Sequence, residues 1–307
     1  MKNWTLAAVC AATLAFAGTA SAAPSATRYV SPAGADTGGC TTTPCKTIGY
    51  AVGQANAGDT ISVAAGTYAE SVLVTKQLTL AGSGATIDAT GHEHGIEILN
   101  AASAGTVVRG FTVRNAGLEA IFADQTSNLT IANNSLLDND LLFFVENSPC
   151  VGSLDDCGEA LHLQSVTGST ITGNLVQDNV GGILLTDEEG PTAGNTAMNN
   201  GLPGVAIHSH FALQNVEGNV IVNNTLSANG ADDDAETPGG AGVVVFADVT
   251  HNPIPFLPPA SPIAHTTVAA NRLSNEDIGI YTLGATKVSG LPSNKFDSTV
   301  GTPTSIN

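Results

Sequence analysis

From Val107 onward the chain repeats one hydrophobic and polar pattern: a short alternating strand, a polar corner carrying asparagine, and a second short strand. The segments VVRGFTVRNAG, TIANNSLLDND, TITGNLVQDNV, PTAGNTAMNNG, VIVNNTLSANG and TVAANRLSNED align. Gly110, Asn134, Asn174, Asn195, Asn224 and Asn271 hold the first corner position. Asn115, Asn139, Asn179, Asn200, Asn229 and Glu276 hold the second. A further apolar stretch accompanies each, as in GIEIL, EAIFAD, EALHLQ, GILLTD, VAIHSH, GVVVFAD and GIYTL. The period is about 21–24 residues, with longer gaps where insertions enter. A unit of that size holds two or three strands and no helix, and it cannot bury its own apolar face. Copies must therefore stack, which sets equivalent residues about 4.8 Å apart. Asparagine tolerates left-handed turn conformations and bonds neighbouring backbone, so stacked corners predict an amide ladder. The pattern predicts an all-β chain: a right-handed parallel β-helix of roughly nine or ten coils. A leucine-rich repeat fits less well, because its leucine consensus and helical half are missing.

The N-terminal part differs. In residues 44–58, Ile48, Ala51, Val52 and Ala55 fall at helical spacing, predicting a short amphipathic helix that ends by Gly58. Such a helix covers the open end of a strand stack. The run from Tyr29-Val30-Ser31-Pro32 through Gly58-Asp59-Thr60 and Gly66-Thr67-Tyr68 to Ile87-Asp88-Ala89 resembles the start of secreted pectin-lyase-like β-helix proteins. The later Gly-Ile and asparagine corners are similar to that superfamily's parallel β-helix repeats. The resemblance spans nearly the whole chain after residue 22. It implies the fold and not one activity, because the superfamily includes lyases, hydrolases, epimerases, tailspikes and adhesins.

Residues 1–22 combine Lys2, an apolar run from Leu6 to Ala17 and the small residues Ala20-Ser21-Ala22. This reads as a secretory signal peptide, and predicts a secreted or periplasmic protein with no membrane span. Residues 23–58 then form the N-terminal segment and cap, and 59–307 the β-helix, with insertions near 141–157, 230–240 and 251–264. Four cysteines remain after cleavage: Cys40, Cys45, Cys150 and Cys157. An even count in an exported chain favours disulfides over a metal site, and the two local pairs need the least rearrangement.

Strand alternation assigns the side chains. Placing Ile96/Ile98, Ile121/Ala123, Leu161/Leu163, Leu184/Thr186, Ile207/Ser209, Val245/Ala247 and Ile280/Thr282 inside buries only apolar or small groups. The opposite parity buries charges. The outer face then carries one ladder of Asp124, Gln164, Asp187, His210 and Asp248, and another of Phe122, His162, Leu185, His208, Phe246 and Tyr281. Asp187 and Asp248 come out two coils apart, roughly 9–10 Å along the axis. That is at or just beyond the upper end of the about 6.5–9.5 Å used in inverting glycoside hydrolysis. Asp187, Asp248 and His210 are the expected catalytic groups, with His210 between the carboxylates. Asp124, His162, Gln164, His208, Phe122, Phe246 and Tyr281 are the expected glycan contacts.

The net charge of −18, with 9 lysines plus arginines, excludes a nucleic-acid binder. It also opposes spontaneous binding to anionic membranes or polyuronates. The expected partner is a polysaccharide, met by a monomer. No cofactor is required on this reading. Ca²⁺ remains open, with Glu188 and Glu189 as weak candidates and the acidic Asp232-Asp233-Asp234 turn as another. His208-Ser209-His210 puts two imidazoles on one face, a pattern that also suits a transition metal. His92-Glu93-His94 reads as surface. Beside the hydrolase stand a non-catalytic glycan-binding or surface module and a Ca²⁺-assisted lyase or epimerase.

Overall fold

The computed structural model describes residues 25–142, 158–186, 191–193, 195–210, 212, 216–247, 260–284 and 286–307. Among them, seventeen strands form one sheet and nine form another, with every strand pair parallel. The first sheet receives two short strands per coil, such as Thr130–Ala132 and Ser135–Leu137, which meet at the asparagine corner. The second receives one strand per coil and climbs through Val72–Val74, Ile96–Leu99, Ile121–Asp124, Glu159–Gln164, Gly181–Thr186, Val205–Ser209, Ala241–Ala247, Ile278–Leu283 and Thr302–Ile306. No helix among the described residues is long and apolar enough to cross a membrane.

The corners form two hydrogen-bonded columns. In the first, Asn134, Asn174, Asn195, Asn224, Asn271 and Asn294 are all buried. From Asn174 upward, each side-chain oxygen accepts from the backbone N–H and the amide of the asparagine one coil earlier, as Asn195 Oδ1 does from Asn174 N (2.9 Å) and Asn174 Nδ2 (3.0 Å). The second column runs Asn139, Asn179, Asn200, Asn229 and ends at Glu276. The left-handed residue is the one before the column member at Asn133, Asp138, Gly173, Asn223 and Ala270. That corrects the expectation that the ladder asparagines themselves turn the corner. It also moves Gly110 and Asn115 out of the columns: Phe111 and Ala116 take those places and give their N–H groups to Asn134 and Asn139.

The coil interior is apolar and closed. Ile96, Ile121, Leu161, Ile183, Val205, Val243 and Ile280 stack in one column, and Ile98, Ala123, Leu163, Leu185, Ile207, Val245 and Thr282 in the next. All are 1% exposed or less. Burying each of the larger side chains stabilises the coil by about 1.5–3 kcal/mol. One strand departs from the expected parity. His162 lies beside Leu184, Leu163 beside Leu185 and Gln164 beside Thr186. Leu184 and Thr186 therefore face outward, while Ile183 and Leu185 fill the core. The run Ile183-Leu184-Leu185 permits either parity by hydrophobicity alone, so the register is decided by its neighbours.

The lower end is sealed by helix Ile48–Gln54, shorter than the sequence suggests. It buries Ile48, Ala51 and Val52, and Thr47 caps it by accepting from Tyr50 N. Glu70 accepts from Ile48 N (2.9 Å) and Gly49 N (2.8 Å), placing a carboxylate on the same terminus. The Cys40–Cys45 disulfide closes the preceding loop. Arg28 and Asp59 form a buried ion pair at 2.8 Å beside it. The expected signal segment, the Cys150/Cys157 pair and most of the insertions near 141–157 and 251–264 lie outside the described residues.

Candidate functional site

The outer face of the nine-strand sheet has two columns. Phe122, His162, Leu184, Ala206, Val244 and Tyr281 stand in one. Asp124, Gln164, Thr186, His208, Phe246 and Leu283 stand in the other. His208 thus follows Thr186, and His210 lies two residues farther along the chain. Thr186, His208 and Phe246 take the places that the expected ladder of Asp124, Gln164, Asp187, His210 and Asp248 gave to its last three members. Asp187, Asp248, Glu188 and Glu189 lie outside the described residues.

Much of this face is not open to water. His162 is 1% exposed, His208 3%, Tyr281 6% and Phe246 7%, whereas Asp124, Gln164, Phe122 and His210 are half-buried. Leu184, Ala206, Val244, Phe246, Ile278 and Tyr281 pack with Ala235 and Ala241 into a small second core outside the coil. Ala235 belongs to the 230–240 insertion, which folds onto the sheet. Phe246 and Tyr281 therefore support that loop and present no ring face for a sugar.

Two clusters of ionisable groups lie on this face. In the lower one, Glu119 is bracketed by His94 Nδ1 at 2.8 Å and His162 Nδ1 at 4.0 Å. His94 stacks on Phe122 with centroids 5.1 Å apart, and Phe122 meets His162 edge-on at 5.5 Å. Burial alone would raise the Glu119 carboxyl, but His162 and His94 hold it down at about 2. Burial lowers His94 and the Glu119 contact raises it, with a net rise. Glu119 is therefore ionised and favours the charged form of His94, which is no idle surface residue. Asp140 is pushed well above the carboxylate range by complete burial and by the Glu119 charge. Glu159 is the equivalent of Glu119 one coil up, and one ligand atom from each of Glu119, Glu159 and His162 lies within 4.8 Å of the others. The same glutamate opens both EAIFAD and EALHLQ; that repeated position was the signal available in the sequence.

The upper cluster is built by the insertion. Asp232 Oδ1 accepts from Ala235 N (2.9 Å), and Asp232 N donates to Thr237 Oγ1 (2.7 Å), so a tight turn fixes the side chain. Its Oδ2 lies 2.8 Å from His208 Nε2, both residues being buried. His208 Nδ1 is 3.3 Å from His210 Nε2. Phe246 meets both imidazoles edge-on, at 5.5 and 5.8 Å. One ligand atom from each of His208, His210 and exposed Asp234 lies within 4.8 Å of the others. The acidic turn is thus half structural: Asp232 points inward to an imidazole while Asp233 and Asp234 face solvent. The lower cluster reaches toward the upper through His162 Nε2 and Thr186 Oγ1, 3.0 Å apart, with Thr186 beside His208 on the next strand.

The fold is shared with carbohydrate-active proteins of low sequence identity. An alginate lyase from Paenibacillus sp. str. FPU-7 superposes with a TM-score of 0.50 at 12% identity, covering 85% of this chain and 96% of that one. A pectate lyase, Pel9A, gives 0.48 at 14% identity over 89% and 78% of the two chains. A family 28 exopolygalacturonase from Yersinia enterocolitica gives 0.46 at 12% identity over 87% and 72%. No curated protein matches the chain. The family described as right handed beta helix region matches residues 70–254, well over half the sequence, and the chain belongs to that family.

Proposed function

We propose that the protein is exported and acts on a polysaccharide lying along the outer face of the nine-strand sheet, hydrolysing a glycosidic bond there. The observation that carries this reading is the oriented pair of His208 and Asp232, which directs the second imidazole nitrogen toward half-buried His210. An imidazole held by a carboxylate has one fixed tautomer and a defined direction for its remaining nitrogen. Asp187 and Asp248 follow the strand ends Thr186 and Ala247 in the chain. They are the carboxylates assigned as general acid and general base. His210 is the imidazole assigned to bias their charge. Phe122, Asp124 and Gln164, half-buried members of the outer columns, are the glycan contacts. His162 and His208, being buried, position other groups.

The test is a panel of neutral and acidic polysaccharides, scored for new reducing ends and for the anomeric configuration of the product. Inverted product from wild type, with Asp187→Asn and Asp248→Asn each reduced at least about 100-fold, is expected. Unchanged turnover in both variants removes the assignment. An unsaturated product replaces hydrolysis by elimination, and runs with and without Ca²⁺ separate the lyase and epimerase readings. Saturable binding without turnover identifies a glycan-binding module, the reading that the burial of His162 and His208 favours.

A further inference from the structure

We propose that His208, His210 and Asp234 form a binding site for a divalent transition metal, with Zn²⁺ the best fit. The inference concerns metal binding alone and stands independently of any glycan chemistry.

The two imidazoles set the geometry. They are at alternate positions on one strand end, so both project from the same face. A tetrahedral ion with metal–nitrogen distances of about 2.0–2.1 Å holds two nitrogens about 3.3–3.4 Å apart. His208 Nδ1 and His210 Nε2 are 3.3 Å apart. One ligand atom from each of His208, His210 and Asp234 lies within 4.8 Å of the other two. Three protein ligands are the number that leaves one position for water or substrate, the arrangement of open rather than purely structural zinc sites.

The surroundings supply what a ligating histidine needs. Buried Asp232 takes the His208 Nε2–H at 2.8 Å, which leaves Nδ1 as the electron-pair donor. Asp232 is itself anchored by Ala235 N and Thr237 Oγ1. Phe246 packs its edge against both rings and limits their rotation. His210 is half-buried and Asp234 exposed, so the ion has a route in. The other acid–imidazole trio, Glu119, Glu159 and His162, differs on both counts. Its Glu119 is already matched by two imidazoles, and Glu119 and His162 are 2% and 1% exposed. Two nitrogens and one oxygen select Zn²⁺ and its neighbours over Ca²⁺, which prefers six to eight oxygens.

The experiment uses the full chain, free of any histidine tag and stripped with chelator. Zn²⁺ affinity is read by competition with a chromophoric chelator, and Co²⁺ substitution by visible absorption. One equivalent of Zn²⁺ and the intense bands of tetrahedral Co²⁺ are expected. His210→Ala and Asp234→Asn, both at solvent-accessible positions, remove a ligand each and should weaken binding by more than 100-fold. Asp232→Asn should weaken it about 10–100-fold, the range for loss of an outer-shell partner. His265→Ala, at an exposed imidazole on the other sheet, should change nothing. Absence of saturable Zn²⁺ binding overturns the proposal, as does full retention in both His210→Ala and Asp234→Asn. Displacement of Zn²⁺ by equimolar Ca²⁺ also overturns it. Because no glycan enters the assay, a hydrolase that binds no metal and a metal protein that cleaves no glycan give different results.

Discussion

Asn195→Ala tests the claim that the amide columns hold the coils in register. The Asn195 side chain makes four hydrogen bonds. It donates to Ile171 O at 3.1 Å and Asn224 Oδ1 at 3.2 Å, and accepts from Asn174 N at 2.9 Å and Asn174 Nδ2 at 3.0 Å. At about 0.5–1.5 kcal/mol net for each bond, the loss is about 2–6 kcal/mol. The upper half applies because the site is 1% exposed and water cannot replace the lost partner. That is a large share of the about 5–15 kcal/mol typical of a native protein. Equilibrium urea denaturation, approached from both the folded and the unfolded side, should show a lower midpoint with an unchanged slope. Gln54→Ala, on the exposed face of the cap helix, should stay within about 0.5 kcal/mol of wild type. Asn195→Asp sharpens the test. Aspartate can still accept from Asn174 but cannot donate to Ile171 O or to Asn224 Oδ1, and it buries a charge. It should cost more than alanine at pH 8 and recover on acidification. A cost below about 1 kcal/mol for alanine, or a milder effect for aspartate, refutes the reasoning.

The joint contribution of Glu276 and Glu119 to stability should peak near pH 4.5–5. Glu276, lifted to about 7 chiefly by burial, contributes stability that is complete below its ordinary 4.5 and lost as pH rises through about 7. Glu119, held at about 2 against its burial by His162 and His94, contributes stability present above 4.5 and lost as pH falls toward about 2. Each shift corresponds to about 3 kcal/mol. Glu276→Gln should flatten the descending limb near pH 7 in a thermal-melt series, and a curve that superimposes on wild type rejects the assignment. Arg28→Ala should cost about 3–5 kcal/mol by leaving Asp59 buried without its cation. The double change Arg28→Met with Asp59→Leu should recover part of that loss, and failure of the single variant to lower the melting temperature counts against a structural role. Replacing Cys40 and Cys45 by serine opens a loop five residues apart and should cost about 2 kcal/mol in denaturation midpoint.

The scaffold was readable because it repeats. Asn174, Asn195, Asn224 and Asn271 fall on their column as spaced in the chain, and Ile48, Ala51 and Val52 mark the cap helix by period alone. The outer face was less readable for two physical reasons. Leu184, Ala206 and Val244 face outward yet are buried, because the 230–240 insertion builds a second apolar layer over them. An argument that outward means polar fails at such a layer, and the three consecutive apolar residues 183–185 then offer no parity signal. Equally, Asp232, Asp233 and Asp234 look alike as a charged turn. Only the turn's closure by Ala235 N and Thr237 Oγ1 separates the buried acid from its exposed neighbours. The Glu119 cluster shows the converse: the glutamate repeated at 119 and 159 is legible, but its pairing with His94 joins residues from different coils.

Glu276 also shows how the second column stops. Every interior asparagine both gives and receives, whereas the last member only receives: Asn229 donates to it through Nδ2 at 2.7 Å and through the backbone at 3.1 Å. Within the column the arrangement has no preferred height. Asn174 and Asn195 are 21 residues apart, as are Asn179 and Asn200, so losing one such interval hands each lower partner an identical replacement. Whole turns can thus be deleted or duplicated in a lineage without leaving unmatched amides, while the contact from His162 to Thr186 would be severed by losing that same turn. Length and surface chemistry thus rest on separate sets of contacts in this molecule.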